Sequence, residues 1–596
     1  IPLPQLDADK LCAFIIKDCQ NERQLVDKFS FLTRYCFSCL TDADSIDTAE
    51  FCGSGTEEHL KADFKECLKK VNERLDSFVC ETDLQRTRKV LQQQVFEKTD
   101  TDADIYLMNM PTGSGKTLCS VKFALERAIK GNKKRIIYVI PYNSIIDQTV
   151  SEFEKIFGED ADILRHQSSF SYEDREDIDE NYKKVIKNAT ENWDAPFIIT
   201  TAVQFFESIH SNKRGKLRKM HNIADSILIF DEAHLMPQDY LQPCLQSIAF
   251  TAGYLNSEAV FLTATMPDFK KLLEKYALSG SSILDLVQDT KCFSSFEKCR
   301  YEFIGDIGDE GLLQKASESP TSLIIVNSKK KARELYRKCS GKKYHLSTYV
   351  TSCDRKRTID AIKEELKKIE IEFPEMKDVP AEKRITVIST SLIEAGVDLD
   401  VCTVFRELTG LDSILQSGGR CNREGKRQGA CTYIFKSEDE KRAVSRDEKF
   451  NLTKGIIAKY DNINSGQCIR EYYDRLFFMK EYDITKNAMS SRCTDIHNIP
   501  FKQYAEEFKL IDDYTESVVV PQDEKSRKLA EELKYKGGIN ARKLQQDVCT
   551  VSRKEFEELF RQHVVEDYGS GIWCLTNLDY YDKNEGIRFE PKDYYL

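Results

Sequence analysis

No apolar run in this 596-residue chain approaches the ~20 residues that a membrane-spanning helix needs. No signal-peptide pattern opens it either. Together these absences argue for a cytoplasmic protein without a membrane contact. The chain begins at Ile1 rather than Met, which suggests a trimmed start or earlier residues. A zinc framework is also missing. Twenty cysteines are scattered singly, and the only Cys-x-x-Cys is Cys36/Cys39 with no second pair, so they read as reduced thiols partly placed in cores. There is no internal repeat of roughly 20–50 residues, which argues against a solenoid. Basic excess is lacking too. The formal net charge is −11, so no positive coat covers the surface, but an enclosed channel for nucleic acid needs only local positive charge.

Hydrophobic residues make up 41% of the chain and charged residues 31%, enough for several cores and too apolar for disorder. The length suggests about three to four domains. Residues 1–80 read as helical, with apolar positions at helix spacing and little glycine. Residues 81–295 alternate strand and helix patterns, with short apolar runs at 105–109, 135–140, 197–201, 226–230 and 259–263. Such runs belong to a parallel sheet covered on both faces. A second α/β unit over 296–440 has strands at 322–326, 384–389, 403–405 and 431–435, but no glycine-rich loop of its own. The acidic and basic stretch 171–192 reads as an exposed helix or lid, and 354–383 as a helix with an insertion. Residues 441–500 read as a helical linker. Residues 501–596 read as a small accessory domain, with a strand at 518–520, a charged helix at 525–535 and a hairpin-like tail at 571–582.

The chemistry gathers around Met110-Pro111-Thr112-Gly113-Ser114-Gly115-Lys116-Thr117. An apolar strand precedes it and a helical pattern follows, the context a phosphate-binding loop requires. Its glycines let backbone N–H groups converge on a phosphate, and the helix N-terminus adds its dipole. Lys116 would reach the outer phosphates of ATP, and Thr117 would hold Mg²⁺. Met110 stands where the general pattern has its first glycine. Asp231-Glu232-Ala233-His234 follows the strand at 226–230 directly. Ligand sites lie at the carboxyl ends of parallel strands, so Asp231 would complete the Mg²⁺ shell and Glu232 would activate water. Thr263-Ala264-Thr265 ends another strand; it is either a hydroxyl relay to the acidic motif or a polar turn. Gln416-Ser417-Gly418-Gly419-Arg420-Cys421-Asn422-Arg423 supplies two arginines three apart. On a helix these would share a face, and facing a cleft they would deliver charge to a breaking γ-phosphate bond. One phosphate loop between two α/β units suggests a nucleotide at a domain interface. Candidate polymer contacts are Tyr142, Asn143, Gln148, Thr200, Thr201 and Thr348, polar groups clustered at strand ends. The basic run Lys213 to Lys219 either lines a strand path or is a solvated face. Asp42, Asp44 and Asp47 either cap helices or bind a metal, with capping the better reading.

The ordered set Gly-Ser-Gly-Lys-Thr, Asp-Glu-Ala-His, Thr-Ala-Thr and Gln-x-Gly-Gly-Arg-x-x-Arg resembles the superfamily 2 helicases. Longer words narrow the resemblance to the CRISPR-associated helicase–nuclease of type I systems: Ile137 to Gln148, Glu191 to Pro196, His345 to Thr348, Leu392 to Asp398 and Arg420 to Gly425. It covers roughly residues 30–596, densest from 105 to 435. The resemblance implies two RecA-like parallel-sheet domains in tandem, preceded by an all-α remnant of an HD domain and followed by the accessory domain. It implies a monomeric ATP- and Mg²⁺-dependent motor that pulls single-stranded DNA 3′ to 5′, recruited by an RNA-guided surveillance complex. Gln416 and Asp398 join the nucleotide-binding set on the same ground. The HD nuclease would need a divalent transition metal; Asp44 matches its last metal ligand, but the only earlier-region histidine is His59. The expected His and His-Asp ligands are not in this chain, so nuclease activity is not expected of it as it stands. The rival readings are an RNA helicase of the Asp-Glu-Ala-His type and a catalytically silent nucleic-acid scaffold.

Overall fold

The computed structural model describes residues 7–52, 58–167, 179–277, 280–394, 397–438, 448–493, 495–510, 515–536, 541–569 and 571–591. The chain divides into two compact units. The first holds residues 1–167, 175–296 and 473–511, and the second 168–174, 297–472 and 512–596. Ala395 and Gly396 of the Leu392–Asp398 word lie outside the described residues, as do 171–178 of the expected lid. Among the described residues no helix is long and apolar enough to cross a membrane.

The first unit is built on a parallel sheet: β1 Ile105–Asn109, β2 Arg135–Ile140, β3 Ile163–His166, β4 Phe197–Thr201, β5 Ser226–Asp231, β6 Glu258–Thr263 and β7 Ile283–Asp285, in the order β3-β4-β2-β5-β6-β1-β7. The strands β2, β4 and β6 are buried along their whole length, because helices cover both faces. The sequence reading located the five inner strands within a residue at each end. It missed β3 and β7, the sheet edges, whose residues are mostly half-buried. An edge strand needs no continuous apolar run, so its periodic signal is weak. The order sets β6 between β5 and β1 in parallel register, with Asn109 opposite Thr263 and Asp231 opposite Leu262. The carboxyl ends of β1, β5 and β6 therefore open on one rim.

Helices precede this sheet, as expected. The longest, Glu22–Phe51, is capped by Asn21, whose side chain accepts the Gln24 N–H at 3.0 Å. Asp42, Asp44 and Asp47 sit inside this helix, so the capping reading is corrected. Asp42 pairs with Arg218 at 2.8 Å and with His221 at 3.3 Å, and Asp44 pairs with Arg214. The basic run 213–219 is thus largely neutralised within its own unit, Lys216 pairing with Glu207 at 3.0 Å and Arg218 also with Glu191 at 2.8 Å. Asp27, fully shielded in the same helix, accepts from Ser490 N–H, Ser490 Oγ and Gln246 Nε2 at 2.7–2.8 Å. That clasp ties the 489–491 turn to the first unit.

The second unit carries another parallel sheet: β8 Arg300–Ile307, β9 Thr321–Ile325, β10 Lys342–Leu346, β11 Ile385–Ser389, β12 Thr403–Glu407 and β13 Cys431–Ser437, ordered β10-β11-β9-β12-β13-β8. Against it packs a small mixed sheet of β14 Thr515–Val519, β15 Val548–Ser552, β16 Val565–Asp567 and β17 Trp573–Leu575, followed by the hairpin β18 Tyr581–Asp582 and β19 Gly586–Ile587. Tyr349, shortly after β10, is buried in the core of the accessory sheet among Val518, Val551, Leu559 and Ile587. The architecture is α/β with two parallel-sheet domains, a helical N-terminal region and an accessory sheet.

Candidate nucleotide site

The loop after β1 folds as its sequence dictates. Met110 N–H donates to the Thr263 carbonyl at 3.1 Å, which carries the chain off the strand beside β6. Ser114 then closes a tight turn, its N–H and Oγ both donating to the Pro111 carbonyl at 3.2 and 2.7 Å. Gly113 and Gly115 have φ of +84° and +83°, a region that costs a side-chain-bearing residue about 1–2 kcal/mol. Gly115 has a second reason: a Cβ there would stand 2.7 Å from Gln92 Nε2. The helix Lys116–Lys130 starts at Gly115 with no side-chain cap. Its first N–H groups are left for an anion, the arrangement that binds phosphate.

Lys116 and Glu232, 116 residues apart, meet at 2.7 Å. Glu232 stands just past β5 with φ +46°. Its amide N–H donates to Asp231 Oδ1 at 2.9 Å, and the Tyr138 hydroxyl donates to Asp231 Oδ2 at 3.3 Å. Burial, helped by the neighbouring Glu232 charge, pushes the Asp231 carboxyl up to about 6. Glu232 moves the other way. Burial opposes its charge, but Lys116, then His234 and an Ala264 N–H, hold it below the usual carboxylate range. His234 Nδ1 shares a 2.6 Å hydrogen bond with Thr263 Oγ1 and stands 3.5 Å from Glu232 Oε2. The Thr263 hydroxyl also accepts the Thr265 N–H at 3.1 Å. Both readings of Thr263-Ala264-Thr265 are present: Thr263 links to the acidic motif through His234 and closes a polar turn with Thr265.

The sequence reading missed two neighbours of this loop. Gln92, on the helix Asp83–Phe96, donates to the Ser114 carbonyl at 3.1 Å. Arg88, one turn earlier, lies beside Gly115 with its buried Nε unpartnered among the described residues. Their spacing at i and i+4 was visible, but three successive glutamines hid which one faces the loop. Asp231 and Thr117 offer hard oxygen donors. Asp231 in particular is a shielded carboxylate whose nearest cation, Lys116, is bound to its neighbour, so the pair suits Mg²⁺.

The remaining expected residues of the nucleotide set lie in the second unit. Gln416 is on the helix Leu411–Gly418, which ends before the arginines. Arg420 and Arg423 fall in the turn that follows, so the shared helix face is corrected. Gly418 and Gly419 end the helix, and Asn422 takes φ +51°. Arg420 is buried and donates from Nε to the Ile393 carbonyl at 3.2 Å and from Nη2 to the Glu394 carbonyl at 2.6 Å. Arg423 pairs with Asp398 at 2.9 Å. Beneath them Glu394 binds Arg406 at 2.9 Å and accepts from Ser413 and Ser417. Burial pushes its carboxyl up. The sequence showed Glu394 only inside a family word.

The polymer candidates divide. Tyr142 and Asn143 are exposed at the uncapped start of the helix Asn143–Phe157, and Gln148 is exposed on it. Thr200 is wholly buried in β4, and the Thr201 hydroxyl caps the next helix by accepting Gln204 N–H at 3.1 Å. Thr348 is half-buried, and its carbonyl accepts the Thr550 N–H at 2.8 Å, holding the accessory sheet. Among the described residues no group of three or more His, Cys, Asp or Glu could hold a metal, and the Asp44 carboxylate faces Arg214.

Residues 89–272 match the DEAD/DEAH box helicase family, and residues 318–426 match the C-terminal family of the CRISPR-associated nuclease/helicase Cas3. The chain is 26% identical over 465 residues to the Cas3 nuclease/helicase of Haloferax volcanii, covering 60% of this chain and 49% of that one. It is 23% identical over 380 residues to that of Methanothermobacter thermautotrophicus, covering 59% and 43%. The chain spans about half the length of these relatives. Among solved structures, T. fusca Cas3 with AMPPNP aligns at a TM-score of 0.64 and 13% identity, over 87% of this chain and 69% of that one. A chain of a CRISPR RNA-guided surveillance complex, pre-nicking, aligns at 0.55 and 14%, over 82% and 66%.

Proposed function

From the premise that this chain is a Cas3-like helicase, we propose that it uses ATP to move 3′ to 5′ along single-stranded DNA. In type I CRISPR interference it would unwind target DNA for degradation by an associated HD nuclease, after recruitment by an RNA-guided surveillance complex. The observation that carries the reading is the meeting of Lys116 with Glu232 beside Asp231, at the carboxyl ends of β1 and β5. An ion pair between a loop lysine and a strand-end carboxylate supports the reading, because phosphate binding and water activation need such groups at one rim.

The roles follow from the chemistry of the groups. The N–H groups of Gly113 to Thr117, with Pro111 and Thr112 shaping the loop, receive the phosphates. Thr117 and Asp231 would hold Mg²⁺, which when bound neutralises phosphate charge. Lys116 exchanges Glu232 for the β- and γ-phosphates, and Glu232, ionised and released, accepts the proton of the attacking water. Arg420 and Arg423 are the cations proposed to meet the charge that develops in the transition state, with Gln416 and Asp398 contacting the nucleotide. Tyr142, Asn143 and Gln148 are the proposed contacts to the DNA backbone, at a helix N-terminus that has no side-chain cap among the described residues.

The test is ATP turnover with and without single-stranded DNA, for wild type and Lys116→Ala. Stimulation by DNA and loss in the variant are expected. Equal turnover in the two proteins overturns the reading, and stimulation by RNA in preference to DNA replaces it with an RNA helicase.

A further inference from the structure

Two thiols converge behind the Gln416–Arg423 turn. Cys299, immediately before β8, has its Sγ 3.3 Å from Thr432 Oγ1 and 3.6 Å from the Gly418 carbonyl. Cys421, between Arg420 and Asn422, has its Sγ 3.4 Å from both the Cys402 and the Cys431 carbonyls. Cys431 and Thr432 are consecutive on β13, so both sulfurs lie over one spot of the sheet. The Gly418 carbonyl that Cys299 Sγ approaches also accepts the Cys421 N–H at 2.9 Å, which brings the two residues to one point. Tyr301 lies so close to Gly418 that any Cβ there would collide with its ring. Packing therefore holds the helix end, the turn and the two sulfurs together. Cys421 is buried completely, while Cys299 is half-buried and accessible to a small oxidant.

We propose that Cys299 and Cys421 form a reversible disulfide in response to peroxide, and that the bond restrains the turn carrying Arg420 and Arg423. The Cys299 thiolate attacks one peroxide oxygen. The O–O bond breaks, Cys299 becomes a sulfenic acid, and the departing hydroxide takes a proton to leave as water. The Cys421 thiol then gives up its proton as its sulfur attacks the Cys299 sulfur, the S–O bond breaks, and the departing hydroxide takes that proton to leave as a second water. Two thiols have lost two electrons and two protons, and one peroxide has become two waters. The order suits the environment. The neighbouring Cys421 thiol holds the Cys299 thiol below its usual range, which favours the thiolate at the more accessible sulfur, while Cys299 and burial push Cys421 up. Once closed, the bond would fix Cys421, and with it Arg420, whose guanidinium already lies on the Ile393 and Glu394 carbonyls.

Bond formation stands apart from the proposed function, while the effect on turnover rests on it. Treating the full chain with hydrogen peroxide and mapping its peptides by mass spectrometry should reveal a Cys299–Cys421 linkage that dithiothreitol removes. DNA-stimulated ATP turnover should fall by about tenfold on oxidation and return on reduction. Cys299→Ser and Cys299→Ala should keep the unoxidised turnover and lose the peroxide response. Linkage of either sulfur to another cysteine, or none, overturns the disulfide. Linkage with unchanged turnover in wild type overturns the regulatory half alone. No turnover in the unoxidised protein overturns the proposed function, and the peptide map still decides the bond.

Discussion

Replacing Lys116 with alanine should expose the electrostatic cost of the site as well as its chemistry. The ammonium lies 2.7 Å from Glu232, with 12% and 26% of the two side chains exposed. Its loss leaves Asp231 and Glu232 together at the end of β5, with His234 and the Ala264 N–H still on Glu232. Breaking a fully buried pair costs about 3–5 kcal/mol, and an exposed pair contributes about 0–1 kcal/mol. This pair lies between, so Lys116→Ala should destabilise the ligand-free protein by about 1–3 kcal/mol near neutral pH. At about 2–4 °C per kcal/mol, the Tm of the first unit should fall by about 2–12 °C. The sign with pH follows. Lys116 holds the folded-state carboxyl of Glu232 down in the wild type, so the wild type gains stability above the acidic range that is lost as the pH falls, and the variant lacks that gain. Its deficit should therefore shrink as the pH falls through the acidic range. Denaturant titrations of wild type, Lys116→Ala, Glu232→Gln and the double variant close the cycle. A coupling of about 1–2 kcal/mol is expected above neutral pH. A coupling near zero there, with unchanged denaturant slopes, would refute the pairing.

Three further outcomes are expected. The Asp231 carboxyl moves from 3.8 to about 6 on folding, so the folded state holds the extra proton between those values and stability falls as the pH rises through them. Asp231→Asn should make the ligand-free protein more stable by about 1–3 kcal/mol above that window, lose the advantage below it, and abolish ATP turnover, as calorimetry at two pH values and an ATPase assay would show. Arg218→Ala strips the cation from the buried Asp42 and should cost about 2–4 kcal/mol in chemical denaturation, with Arg218→Lys recovering part of it. Gly586→Ala forces a side chain into the left-handed region, at φ +81°, and onto the Tyr349 backbone. It should loosen the β18–β19 hairpin, seen as faster proteolysis after the accessory sheet, while leaving nucleotide binding by the first unit intact.

The inner strands were legible because burial on both faces demands an unbroken apolar run, and that demand is written locally at 135–140, 197–201 and 226–230. The phosphate loop was legible for a similar reason: two left-handed positions need glycine, and the open helix start follows within the same few residues. The groups around the loop were not. Gln92, Tyr138 and His234 reach the site from three different elements, and only the order in which β2, β5, β6 and β1 lie side by side brings them there. The same holds for Asp42 and Asp44. Alone they look like helix caps or ligands, and it takes a helix from 170 residues further on to show that they answer Arg214 and Arg218. Arg420 and Arg423 looked like neighbours on a helix face because three residues separate them, but that inference requires the helix to continue, and Gly418 and Gly419 end it. What the sequence determined by itself is whatever depends on neighbours in the chain: strand runs, left-handed glycines, and the types of residue that can bind phosphate, Mg²⁺ and a proton. Which of those residues meet, how deeply they are shielded, and therefore which carboxylate takes up a proton and which stays charged, depends on contacts between distant segments, and those the tertiary structure decided.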